Sequence, residues 1–158
     1  MRLRLLILCT SVLAAGGCKR AAPKAEAKKA FDLEVPAGWT AVERTPWTAK
    51  LKSPDVSLVV ETFDVHDFRS LEITASGSLA EVRKRNAVIE REIFDDTVAG
   101  DTAKGFVFSR PDGIVVCSRV VHHGGTQVSN VQCFSRLPAA HACEACAPAL
   151  STLRWMRP

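Results

Sequence analysis

Cysteine and histidine are the side chains here best suited to chemistry: six of the first, four of the second. Cys9 and Cys18 lie in an apolar N-terminal stretch, whereas Cys117, Cys133, Cys143 and Cys146 lie towards the other end. An even number of cysteines suits structural disulfides formed in an oxidising compartment. Cys117 and Cys133 sit symmetrically about Gly125. A three- or five-residue hairpin loop there would set them opposite one another, with Cβ atoms about 4.5–5.5 Å apart, near the reach of a bridge. A two-residue turn would instead put them on opposite faces. The expected bridges are therefore Cys117–Cys133 and, locally, Cys143–Cys146. The alternative has the chain around Pro138 fold back and join Cys133 to Cys143 or Cys146. Cys143-Glu144-Ala145-Cys146 also has the C-x-x-C spacing of redox-active thiols, which depend on a depressed thiolate pKa. No thioredoxin-like βαβ pattern precedes it. The four cysteines with His141 are the residue types that hold zinc or copper, but Cys117 and Cys133 form no second paired ligand motif. His122-His123, with Asp64, His66 or Asp67 as further ligand types, reads as a solvated hairpin tip. Glu90 and Glu92 are not paired on one side of an element, as a two-carboxylate hydrolase requires. There is no Gly-rich phosphate loop, no His-Glu-x-x-His and no nucleophile elbow. The sequence thus assigns no catalytic residue, no cofactor-binding residue and no metal ligand.

The first eighteen residues carry a different chemistry. Met1-Arg2-Leu3-Arg4 precedes an apolar run, Leu5 to Ala15, too short for the roughly 18–20 residues that span a bilayer. Basic start, apolar stretch and small residues are the layout of a cleaved export signal. Leu13-Ala14-Ala15-Gly16-Gly17-Cys18 resembles the lipobox of bacterial lipoproteins, with Ala15 where that family usually has Leu. The resemblance implies cleavage after residue 17 and acylation of Cys18, so that 1–17 is a signal peptide and membrane lipid is the first partner. Several acyl chains give durable attachment where one would be marginal. By resemblance to lipoprotein sorting, Lys19, and not Asp, after the cysteine implies the outer membrane where the host has one, with the domain facing the periplasm.

Charge divides the chain further. The net charge is +4, yet Lys19, Arg20, Lys24, Lys28 and Lys29 against Glu26 give the segment 18–30 that excess by itself. Residues 31–158 are slightly acidic, which removes the main support for a nucleic-acid partner. Segment 18–30 reads as a solvated linker, reaching about 20 Å as flexible chain. Its lysines also suit anionic phospholipid. Residues 31–158 then suit one globular domain.

The elements that must position the cysteines are mostly short strands. Phe31 to Val35 alternates apolar and acidic residues and stops at Pro36-Ala37-Gly38. Trp47 to Lys52 alternates, Ser53-Pro54-Asp55 turns, and Val56 to Phe63 is a β-branched strand. After a polar connection, 64–77, Ser78 and Glu81 have capping-box spacing. Leu79, Val82, Ile89 and Ile93 form one stripe, interrupted by Asn86, so a helix is expected over about 78–94. Strands return at 105–109, 114–121 and 127–135, joined by Arg110-Pro111-Asp112-Gly113 and by the Gly124-Gly125 turn. A last helix carries Cys143, Cys146, Leu150 and Leu153 on one line, with Pro148 kinking or starting it. The order predicts an α+β fold: an antiparallel β-sheet with helices packed on it.

Val35-Pro36-Ala37-Gly38-Trp39, the Ser53-Pro54-Asp55 turn, a single long helix, the hairpins from Phe106 to Phe134 and the final Ser151-Thr152-Leu153-Arg154 together resemble PsbP-like domains. That resemblance implies an α/β/α sandwich over roughly 31–156. It also implies a non-catalytic binding or assembly role in the cell envelope, with an envelope protein as partner. The competing function is a thiol-disulfide or metal-handling protein acting through Cys143 and Cys146.

Overall fold

The computed structural model describes residues 28–157. The expected signal peptide 1–17, the expected lipidation site Cys18 and most of the expected linker 18–30 lie outside the described residues.

Seven strands form one antiparallel sheet. In chain order they are β2 (Thr40–Arg44), β3 (Thr48–Lys52), β4 (Val56–Asp64), β5 (Val88–Val98), β6 (Asp101–Ser109), β7 (Val115–His122) and β8 (Gln127–Ser135). In space they run β2-β3-β4-β8-β7-β6-β5. A separate two-stranded ribbon pairs β1 (Phe31–Asp32) with β9 (Arg154–Trp155). Helix α1 (Leu71–Lys84) leans on β5, β6 and β7. The α+β architecture expected from the sequence is the one present. Its second face is covered by irregular chain: a 3₁₀ turn at Ala139–His141 and the four-residue α2 (Ala147–Leu150), begun by Pro148 in its first turn.

Each strand sends alternate side chains to opposite faces. Cys117, Val121, Val131, Cys133, Leu58 and Val60 join the larger core under the C-terminal segment, while Val116, Phe106 and Phe108 face α1 with Leu79. A sheet covered on both sides at this strand explains why β7 is buried almost throughout, with Ser118 and Arg119 among its buried residues, and does not alternate between buried and exposed.

The helix expected at 78–94 is displaced. It spans Leu71–Lys84, capped by Ser70, whose side chain accepts a hydrogen bond from the Ile73 N–H. Ser78 is internal, and its hydroxyl donates back to the Thr74 carbonyl. Asn86 ends the helix in the left-handed region, φ 58°, where Asn is better tolerated than most residues. Residues 88–98 are strand β5, whose pairing with β6 shifts twice, between Ile89 and Arg91 and between Arg91 and Phe94. Such bulges break the period of two, which makes a bulged strand mimic a helical stripe. The four stripe residues do meet: Leu79 and Val82 from the helix pack with Ile89 and Ile93 of β5. Strand β2, largely exposed, has no clear alternation in sequence, and the strand expected at 31–35 shortens to Phe31–Asp32.

Candidate functional site

The β7–β8 hairpin turns through Gly124 and Gly125, both at positive φ (111° and 57°), which glycine adopts without a Cβ clash. Its register sets Cys117 directly opposite Cys133, as a five-residue loop requires. They are nevertheless not bonded to each other. Cys117 is bridged to Cys143 and Cys133 to Cys146. The expected pairs Cys117–Cys133 and Cys143–Cys146 are therefore corrected to two crossing bridges, the second being the join to Cys133 weighed as the alternative. The physical reason is the C-terminal segment. Both strand sulfurs point to the face it covers, and the tight turns after Pro138 bring Cys143 and Cys146 down onto them. Cys117, Cys133 and Cys146 are fully buried, and Cys143 is half-buried. A redox C-x-x-C alternates between a dithiol and a bridge within the motif; here each cysteine of the motif is bonded to a different strand.

Arg119, two residues beyond Cys117 on the same face, strengthens this attachment. Its Nε donates to Asp96 Oδ2 at 2.6 Å and its Nη2 to the Cys143 carbonyl at 3.2 Å. The Arg119 side chain is only 8% exposed, and its Nη1 has no protein partner. No sequence signal points to this pair, because Asp96 reads as one more polar strand residue.

The two tip histidines part company. His122 stacks on Phe68 at 4.1 Å, and its Nε2 lies 3.0 Å from the Gly125 carbonyl. His123 is not solvated: it is 4% exposed and lies flat against Trp155, ring centroids 4.5 Å apart. Burial lowers its pKa below the ordinary 6.5, with the Asp101 charge opposing and His122 reinforcing. His123 Nε2 is 2.8 Å from Ser129 Oγ, which in turn is 2.7 Å from Thr62 Oγ1. Ser129, His123 and Asp101 are the residue types of a hydrolytic triad. Ser129, however, is fully buried and held by Thr62, so no acyl substrate reaches its hydroxyl. Among the described residues no cluster of His, Cys, Asp or Glu is arranged to hold a metal ion.

What remains open is the helix-side face. Because α1 leans on β5–β7, the rows Lys50–Val59–Gln132–Ser118 and Thr48–Glu61–Asn130 cross β3, β4, β8 and β7, and their members on β3, β4 and β8 are partly exposed. Phe63, at the end of β4, is 50% exposed. Where this face meets the end of α1 there is a cleft of about 510 Å³. Val82, Ala87, Phe108 and Phe134 form its apolar walls, and Arg85 and Arg110 line it with Gln132. Its volume falls within the usual range of small-molecule sites, which place a few polar groups in apolar surroundings.

No protein-family model matches the chain, and no curated protein matches it. Solved structures share its fold. The chain is similar to the Ran-binding protein Mog1p of Saccharomyces cerevisiae, with TM-score 0.52 and 12% identity over 80% of this chain and 90% of that one. It is similar to LpqN of Mycobacterium tuberculosis, described as involved in cell envelope biogenesis, with TM-score 0.53 and 14% identity over 80% and 83%. It is also similar to cyanobacterial PsbP (CyanoP) of Synechocystis sp. PCC 6803, with TM-score 0.53 and 10% identity over 87% and 99%. At these identities the likeness is one of fold, and a fold hosts many functions.

Proposed function

We propose that the chain is an exported, lipid-anchored envelope protein that binds a partner without catalysing a reaction. The single observation that carries this reading is the half-covered sheet: a face of mixed polar and apolar side chains on β3, β4 and β8, ending in the cleft beside Arg85 and Arg110. An open sheet face costs nothing in unpaired backbone, since every internal strand is hydrogen-bonded to its neighbours. A partner can therefore be recognised by side chains alone. Two chemical features accord with export. All four cysteines among the described residues are oxidised, as in extracytoplasmic compartments. No described helix is long and apolar enough to cross a membrane; on this reading the anchor is the acylated Cys18. The fold shared with LpqN, a protein of cell envelope biogenesis, supports an envelope location.

Two measurements test this. Labelled palmitate should enter the wild-type chain and not a Cys18→Ser variant. A photo-reactive residue at Val59 or Gln132, in the native envelope, should give a discrete adduct that a second substitution, Glu61→Arg, abolishes. The same probe at Thr152, on the opposite layer, should give none. Equal adducts from both layers would sink the assignment of this face.

A further inference from the structure

The four oxidised cysteines are connected in crossing order, first to third and second to fourth. The hairpin alone offers a different product. Cys117 and Cys133 are paired residues of β7 and β8, so the cross-strand bridge becomes available as soon as that hairpin forms. Hairpins form in microseconds, whereas disulfide chemistry takes seconds or longer. Cys143 and Cys146, three apart in sequence, have each other within reach throughout. Both native bridges instead wait for the segment after Pro138 to dock on the sheet. Loop length does not decide between them, since Cys133–Cys146 spans 13 residues; the preformed register does.

A chain that closes Cys117–Cys133 and Cys143–Cys146 is trapped. On the reading that Cys9 is removed and Cys18 acylated, it holds no free thiol, and exchange needs a thiolate to begin. We propose that this protein is an obligate client of a thiol-disulfide isomerase, a dithiol protein of its oxidising compartment, which converts the parallel bridges into the crossing pair. The isomerase thiolate attacks Cys133 Sγ, forming a mixed disulfide and releasing the Cys117 thiolate. Cys117 attacks Cys143 Sγ, forming Cys117–Cys143 and releasing Cys146. Cys146 then attacks Cys133 Sγ, forming Cys133–Cys146 and returning the isomerase thiolate. Three bonds break and three form, with no net oxidation and no proton consumed. Exchange must precede docking, because afterwards only Cys143 is partly exposed.

The test is a bridge map of the full chain, exported in bacterial hosts with and without their disulfide isomerase and thiol-blocked at harvest. Trypsin puts Cys117, Cys133 and the Cys143/Cys146 pair in three separate peptides, because Arg119 and Arg136 lie between them. Crossing bridges yield one three-peptide assembly. Parallel bridges yield a two-peptide dimer and a self-closed third peptide. Cleavage after Glu144 then assigns each partner. The crossing map should dominate with the isomerase and the parallel map without it. The variant Cys117→Ser/Cys143→Ser can form only Cys133–Cys146, so its map and yield should be the same in both hosts. Identical wild-type maps in the two hosts, or equal losses of wild type and variant, would overturn the proposal.

Discussion

His123 is a buried group whose protonation the fold resists, and it ties pH to stability. Its pKa is lowered chiefly by burial, so between the folded and the unfolded value the unfolded chain holds the extra proton. Stability is then present in full above about pH 6.5 and declines as pH falls below that value towards the folded pKa. Denaturation midpoints between pH 8 and pH 5 should show this slope in the wild type. His123→Gln should flatten it relative to the wild type, whatever it does to the midpoint itself; parallel curves would remove His123 as the cause. Arg119 makes the complementary case of a charge that must stay paired. Replacing Asp96 by Ala leaves a guanidinium with 8% side-chain exposure bonded only to the Cys143 carbonyl. Losing one member of a buried pair costs about 3–5 kcal/mol. Asp96 itself is 27% exposed, so solvent offsets part of this, and a loss of about 2–3 kcal/mol in urea denaturation is expected. Asp96→Ala with Arg119→Met should regain most of it. At this scale the sequence shows which cysteines are chemically interesting but not their partners. Pairing depends on where the segment 137–153 comes to lie, and its apparent helical line of Cys143, Cys146, Leu150 and Leu153 is realised only as short turns. For the same reason His123 reads as a solvated tip: its cover, Trp155, arrives from the far end of the chain.

The hairpins are the elements most legible in the sequence, because glycine and proline turns announce both ends of β7 and β8, and symmetry about Gly125 gives the observed register once the loop has an odd number of residues. The α1–β5 junction is the least legible. Two bulges scramble the alternation of β5, and the residue that ends the helix, Asn86, falls on the apparent stripe. Ser70, not Ser78, is the cap. Ser70→Ala should lower stability by about 1 kcal/mol, whereas Ser78→Ala, which merely frees the Thr74 carbonyl, should stay within about 0.5 kcal/mol; chemical denaturation of the two variants decides the helix boundary. Strand β5 is also fixed by contact across the sheet. Phe94 lies over Gly105 of β6, where a Cβ would come within 2.6 Å of its ring, and the Arg91 guanidinium stacks on that ring, 3.7 Å from its centroid. Gly105→Ala must therefore push the ring outward, and overpacking of this kind costs about 1–3 kcal/mol.

At the scale of the whole molecule, both ends of the described chain meet. Ala30 is fully buried and its N–H donates to the Pro46 carbonyl, β1 pairs with β9, and Trp155 donates to the Val98 carbonyl. The linker thus enters near the Gly124-Gly125 end of the sheet. The cleft beside Arg85 and Arg110 belongs to the other end, about 30 Å away along strands of nine residues. On the proposed anchoring through Cys18, this end of the sheet would face the bilayer and the cleft would be directed away from it. Charge is divided in the same sense, because the linker holds the basic excess and residues 31–158 are slightly acidic. A chain beginning at residue 18 with Cys18→Ser should therefore bind vesicles containing anionic phospholipid at low salt and leave purely neutral ones unbound. Each lysine near such a surface contributes about 1 kcal/mol, so replacing Lys24, Lys28 and Lys29 by Gln should weaken binding about a hundredfold in a sedimentation assay. Screening shortens to about 3 Å at 1 M salt, and the wild-type linker should then release as well. Binding that survives high salt would instead point to apolar insertion by the domain, through side chains such as Val42 (65% exposed) or Phe63, and the outward orientation of the cleft would no longer follow.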